Sequence, residues 1–260
     1  MDTLKLSPQE VDLCVSNYGT TKGKEYSLAI LPWGATEPHN YHLPYLTDSI
    51  LSHDIAVDAA KRAFTEYGLL CMVLPPVNFG SQNPGQKELS FCIHARYKTQ
   101  LSILEDIVSS LERQGIHKLL IINGHGGNSF KNMIRDLYET HPDFTIASSE
   151  WYRICPDEGY FEEPGDHADE KETSVMLHYH PELVFMDQAG DGKAGGFRNP
   201  LLKSGKVWIP RRWDLISSDT GIGNPHRATA EKGGRYARAV ASAYADFLKD
   251  FSEGDLYLSL

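Results

Sequence analysis

Glu37-Pro-His39-Asn-Tyr-His42, followed by Asp48, places imidazoles and carboxylates close together. A second segment, Asn123-Gly-His125-Gly-Gly-Asn128, adds another imidazole among glycines. Such donors suit a divalent transition metal if they are held rigidly and one coordination position stays open to water. Glu37 and His39 face the same side only where the loop bends, and Pro38 between them restricts that backbone. Asp48 has two carboxylate oxygens and could bridge two ions roughly 3.5–4 Å apart, lowering the pKa of a shared water and polarising a carbonyl. Plainer readings stand beside these. Asp48 lies where a helix N-cap is expected, and the glycines around His125 suit a tight turn or a backbone-amide nest for an anion.

Each polar segment leaves an apolar run. Ser27 to Trp33 reads as a strand, and from Asp48 to about Tyr67 the apolar residues Ile50, Leu51, Ile55, Ala56, Ala59, Ala60 and Phe64 recur at helical spacing. Leu69 to Val77 is another apolar run, closed by Pro75-Pro76. Thr99 to Gln114 carries a helical stripe that ends at Gly115. Lys118 to Ile122 reads as a continuous buried strand of the parallel-sheet kind. A helix over Phe130 to Thr140, a strand over Phe144 to Ser148, and helices over Glu170 to His178 and Thr229 to Phe251 follow. Between the last two, Gly190 to Asn224 is Gly-rich and reads as long functional loops. This alternation predicts a three-layer α/β/α sandwich with a mainly parallel sheet, as one domain over residues 1–260. Ligands of such sheets bind beyond the carboxyl ends of the strands, where both polar segments fall.

The formal charge of −10 is spread along the 260 residues, which opposes a nucleic-acid or anionic-membrane partner. The first ten residues show no signal-type pattern, and no apolar run nears the roughly 20 residues of a membrane span. A soluble, cytoplasmic enzyme of small molecules is the expectation. Cys14, Cys71, Cys92 and Cys155 are irregularly spaced, so neither a zinc knuckle nor a disulfide framework is read, and Cys71 and Cys92 are expected to pack as small hydrophobes.

The run Leu31-Pro-Trp-Gly34 through Glu37, His39 and Asp48 is followed by the Asn123–Asn128 block and by His167 with Glu172-Thr-Ser174. Asp219-Thr-Gly-Ile-Gly-Asn-Pro225 and Ala230-Glu-Lys-Gly233 complete the series. In this order the blocks resemble the creatininase (creatinine amidohydrolase) family. The resemblance implies a binuclear metal hydrolase that uses a metal-activated water to cut carbon–nitrogen bonds of cyclic amides, linear amides or formamides. It further implies a homo-oligomer, often a hexamer. By family position Glu37 and His125 bind one ion, His39 the other, and Asp48 bridges them, the divalent metals being zinc, manganese or iron. Ser81 falls in a loop that contributes to the substrate pocket. His167 matches a histidine placed to shuttle a proton. Glu172 is read as ligand or base, and could also simply complement a helix dipole. His42, between the assigned ligands, is expected to hydrogen-bond behind one of them. His53, His94, His117, His141, His178, His180 and His226 are read as structural or surface residues.

Two departures bear on substrate. Creatininase carries a glutamate for its second metal where this chain has Gly127, so Glu172 replaces it, water fills the gap, or one ion alone is held tightly. The segment Gly80 to Ser90 also differs from the longer loop of many relatives. The His-Gly-Gly-Asn form occurs in relatives that do not act on creatinine, including formamide hydrolases of flavin and deazaflavin synthesis. A formamide hydrolase acting on a pyrimidine nucleotide is thus an alternative, with Arg198, Arg211 and Arg212 as candidate phosphate partners. A non-catalytic binder using the His125 turn as an anion nest is another. Trp151, Trp208 and Trp213 could stack on a planar substrate or serve the core.

Overall fold

A computed structural model describes residues 7–254 and 256–258. Residues 1–6, part of the segment read for a targeting signal, lie outside them. Four parallel strands form the sheet: β1 (Leu28–Trp33), β2 (Cys71–Val73), β3 (Lys118–Asn123) and β4 (Thr145–Glu150), in the order β2-β1-β3-β4. Five long helices flank it: α1 (Thr47–Tyr67), α2 (Tyr97–Arg113), α3 (Lys131–Thr140), α4 (Glu170–Tyr179) and α5 (Ala230–Glu253). Alternation of side chains along each strand feeds two separate apolar layers. Leu28, Ile30, Leu120 and Ile122 pack with α1, α4 and α5, whereas Ala29, Leu31, Leu119 and Ile121 pack with α2 and α3. This is the three-layer α/β/α sandwich. Each fully buried Leu or Ile contributes roughly 1.5–3 kcal/mol through the water it excludes.

The apolar run from Leu69 to Val77 yields a strand only over Cys71–Val73. Pro75 and Pro76 offer no N–H to a ladder, and beyond them the chain regains β1 only at a lone bridge between Trp33 and Val77. Cys71 is fully buried in the core, Cys92 is half-buried, and all four cysteines are free thiols. The Gly190 to Asn224 loops contain two short helical turns, Pro200–Lys203 and Trp213–Ile216. Among the described residues no helix is long and apolar enough to cross a membrane.

Register aligns Trp33 with Asn123 and Asn123 with Glu150, so three strands end side by side. The first turn of α1 rests directly on two of those ends. A Cβ at Gly34 would lie 2.4 Å from the Ser49 backbone nitrogen, and one at Gly124 would lie 2.4 Å from the Asp48 carbonyl oxygen. A methyl group at either place must displace backbone rather than a flexible side-chain end. Gly124→Ala is therefore expected to lower unfolding free energy by about 1–3 kcal/mol. A denaturant midpoint equal to that of the parent protein would show that the seat tolerates a side chain.

Candidate metal centre

Asp48 sits in the first turn of α1 but does not cap it: the N-cap is Leu46, without a side-chain cap bond. The capping reading gives way because the carboxylate is drawn to an imidazole, Oδ1 lying 2.9 Å from His39 Nε2. His125, on the turn after β3, faces the same carboxylate, with Nδ1 3.0 Å from Glu37 Oε1 and 3.2 Å from Asp48 Oδ2. Two sets of ligand atoms lie within 4.8 Å of one another, Glu37 with Asp48 and His125, and His39 with Asp48 and Glu172. They share Asp48. A third grouping, Glu37 with His39 and His167, draws on both.

Hydrogen bonds to backbone carbonyls fix each ring. His39 Nδ1–H donates to its neighbour Glu37 O at 3.0 Å, and His125 Nε2–H donates to Ser81 O at 2.7 Å. The remaining nitrogen of each ring then points at carboxylates, the arrangement found behind metal-bound histidines. Asp48 Oδ2 is buried, and although His125 Nδ1 lies 3.2 Å away no well-aligned hydrogen bond reaches it. An orphaned carboxylate oxygen among imidazole nitrogens and two further carboxylates fits a divalent cation by donor type and by what it lacks.

Electrostatics are those of buried carboxylates crowded against imidazoles. Burial drives the His39 pKa down, but Asp48 beside it wins and holds the ring at about 10. His125 is likewise raised, with Glu37 and Asp48 outweighing burial. Burial favours the neutral form of Asp48, yet His39 and His125 pull its carboxyl below the usual range. For Glu172 burial is the leading cause, opposed by His39 and aided by Asp48 and Asp169, and the carboxyl rises to about 8.

Glu172 is placed by a capping arrangement at the start of α4. Asp169 Oδ1 accepts from the Glu172 N–H at 2.9 Å, and Glu172 Oε2 accepts from the Ala168 N–H at 2.6 Å. His167 Nε2–H donates to Pro38 O at 2.9 Å, and its ring lies 4.2 Å over that of His39 and edge-on to Trp213. Behind it Thr220 adopts φ +68°, a left-handed conformation costly for a β-branched residue. The Asn40 N–H bond to Thr220 Oγ1 and the Trp213 Nε1–H bond to Thr220 O hold it there.

A cavity of about 480 Å³ opens over these groups, lined by Glu37, Asp48, Glu172, His125, His167 and Ser81 among others. Ser81 turns its hydroxyl away, donating to Ala95 O and accepting from Gln100 Nε2. His42 bonds Thr173 Oγ1 at 2.9 Å rather than a member of the cluster, and burial depresses its pKa to about 4. The three arginines do not form one clamp. Arg211 lines the cavity and pairs with Asp166, Arg212 grips Asp214, and Arg198 is exposed elsewhere. Trp208 and Trp213 line the cavity, whereas Trp151 is fully buried. Sequence reasoning missed Gln86, whose amide donates to Glu37 Oε2, and Tyr152, Gln82 and Lys171 on the wall.

The family model Creatininase (creatinine amidohydrolase) matches residues 17–248. The chain belongs to the creatininase family. A Bacteroides fragilis NCTC 9343 protein with the provisional name creatinine amidohydrolase is 56% identical in its crystal structure, with a TM-score of 0.94 over 96% of this chain and 99% of that one. The mycofactocin precursor peptide peptidase of Mycolicibacterium smegmatis is 26% identical, covering 90% of this chain and 91% of its own. A zinc–zinc form of a creatininase mutant shares the fold at 24% identity, TM-score 0.70, over 86% and 90% of the two chains, and a manganese form of creatininase has also been solved.

Within this family the glycine at position 127 has a local cause. A Cβ there would lie 2.0 Å from Ser81 O and 2.4 Å from His125 Nε2, so the hydrogen bond that orients His125 excludes a glutamate. Glu172 lies within reach of His39 and Asp48.

In metal-free protein the raised groups hold protons that any bound cation would displace. The stabilising contribution of Glu172 is full below its unfolded value of 4.5 and is lost as pH rises through about 8. That of His39 is full below 6.5 and lost through about 10. Asp48, held low, acts in the opposite sense only below its ordinary 3.8. The chelated protein should therefore lose thermal stability as pH rises from near neutrality toward 10, and the zinc-loaded protein should lose much less. A chelated Tm that climbed over that range would contradict this assignment of protons.

Proposed function

We propose that this creatininase-family hydrolase is a metal-dependent amidohydrolase that cleaves a non-peptide carbon–nitrogen bond in a small cyclic amide, linear amide or formamide. The observation that carries the reading is the pair of ligand sets meeting at Asp48 on the cavity floor. Glu37, Asp48 and His125 would hold one divalent ion, and His39, Asp48 and Glu172 the other. Zinc or manganese suits these donors. When bound, such ions acidify a shared water and polarise a carbonyl oxygen.

The chain's own residues supply position and protons. Gln86 and the carbonyls of Glu37 and Ser81 hold the ligands in orientation. His167 donates through Nε2, so its lone pair is at Nδ1, 3.6 Å from Glu37 Oε1. Burial, then the charge of His39, lowers its pKa, so the ring is neutral at physiological pH and ready to take a proton at Nδ1. The same proton can pass to the departing nitrogen. Trp213 at the edge and His39 at the face keep the ring from turning.

A non-catalytic anion binder is disfavoured, because Glu37 and Asp48 stand beside the His125 turn and repel an anion there. A nucleotide formamide hydrolase finds weaker support than a general amidohydrolase, since Arg211 alone of the three proposed arginines faces the cavity.

Metal analysis of Asp48→Ala should show loss of both ions together with hydrolysis, and Glu172→Gln should lose one ion preferentially. His167→Asn should keep its metal while hydrolysis falls about 10²- to 10⁴-fold. Full hydrolysis by metal-free Asp48→Ala would end the proposal.

A further inference from the structure

Polar groups along the cavity wall are nearly all committed. Ser81 Oγ is bonded to Ala95 O, Gln86 to Glu37, and Lys171 Nζ to Asp157 and to Tyr152 O. Gln82 and Tyr152 are different. Gln82 is 8% exposed, and both its Oε1 and its Nε2 are buried without a hydrogen-bond partner. Its backbone is nevertheless anchored, the N–H donating to His94 Nδ1 at 2.9 Å. The Tyr152 hydroxyl is also buried and unpartnered, 3.6 Å from where a Cβ on Gly126 would stand, beside the turn that carries His125. Burial and the nearby Glu150 carboxylate push its pKa up, so it stays a donor. Both residues line the cavity that holds Glu37, Asp48 and Glu172, with their polar atoms closed to solvent in this conformation, so a ligand meets them as the side chains turn toward it.

A buried carboxamide with donor and acceptor both unmet is costly unless a bound molecule completes it. A glutamine amide is satisfied in one stroke by a partner that presents N–H and a hydrogen-bond acceptor on the same edge, as in its bidentate pairing with adenine. Lactams, cyclic imides, ureides and primary carboxamides have such an edge, with the N–H beside the C=O. A trans secondary amide does not, because its planar bond turns N–H and C=O to opposite sides. Esters and carboxylates lack the donor.

We propose that Gln82 is a specificity-determining residue that reads the cis N–H/C=O edge of a cyclic or terminal amide, while the Tyr152 hydroxyl donates to a substrate oxygen nearer the ligand cluster. The assignment rests on the amidohydrolase reading and narrows its substrate class. Water adds across one ring C–N bond of such an imide. The carbonyl carbon becomes a carboxylate, and the departing nitrogen keeps the electron pair and gains a proton.

Glutarimide and N-methylglutarimide test this on zinc-loaded protein, with dissociation constants from ligand-observed NMR and glutaramate formation measured in parallel. Glutarimide should bind at least about tenfold more tightly than its N-methyl analogue, whose edge lacks the donor. Gln82→Leu should erase the difference with zinc content unchanged. If Gln82→Leu does not fold, the similarly shaped Gln82→Met, which removes both the acceptor for the substrate N–H and the donor to its C=O, must lose the preference as well. Tyr152→Phe should weaken both probes alike, and unchanged affinity would remove the part assigned to Tyr152. Equal binding of the two probes, no binding of glutarimide, or a preference that survives in Gln82→Leu would overturn the proposal. Glutarimide bound selectively through Gln82 but never hydrolysed would uphold recognition and defeat the amidohydrolase reading. Hydrolysis of both imides without selectivity would do the reverse.

Discussion

The wedge of the first turn of α1 between the ends of β1 and β3 is the constraint on which the rest depends. Positions 34 and 124 must lack a Cβ for that turn to descend so far, and the descent brings Asp48 between the two histidine loops. His39 arrives from the loop after β1 and His125 from the turn after β3. A carboxylate in the first turn of a helix also feels its positive end, which offsets part of the cost of burying the charge. Move the helix outward by the width of a methyl group and the bridging carboxylate no longer reaches both rings.

Around that wedge the imidazoles are oriented by main chain rather than by side chains. Glu37 O, Ser81 O and Pro38 O each accept from the outer nitrogen of one ring, which leaves the inner nitrogen of His39, His125 and His167 facing the carboxylates. Three buried carboxylates gathered this way repel one another unless a cation or protons intervene. The elevated value of Glu172, about 8, led by burial and aided by the charge of Asp48, expresses that imbalance in the protein alone. A cluster that must borrow protons to be stable would release them to any cation it bound.

Periodicity made the scaffold legible. The continuous apolar run of β3 and the helical stripes of α1, α2 and α5 fixed which faces must be buried, and the structure pairs them as that pattern requires. Where the run at Leu69 was ambiguous, proline decided the outcome. Glu37, His39, Asp48 and His125 were legible as candidates because ligand-type residues crowded at strand ends leave a pattern in the sequence. Gln86, Gln82 and Tyr152 left none. Gln86 acts through a contact made across space, Gln82 and Tyr152 reach the cavity wall from a loop and from the turn after β4, and a glutamine in a loop looks the same whether its amide meets water or Glu37. The Ser81 carbonyl is invisible for a deeper reason, since every residue has one.

The segment from Gly80 to His94 therefore has two tasks that cannot vary independently. Its Ser81 carbonyl orients His125, and its Gln86 holds Glu37, while Gln82 sits between them with its amide unmet. Close approach to His125 excludes a side chain at Gly80, where a Cβ would lie 2.7 Å from the ring, and at Gly127. A side chain is thus excluded at Gly127, while Glu172 on α4 lies within reach of His39 and Asp48. Cluster and pocket wall are thus one structural choice: the loop that presses on His125 tightly enough to fix its tautomer also leaves no room for a side chain at Gly127, and the third carboxylate of the cluster stands on α4.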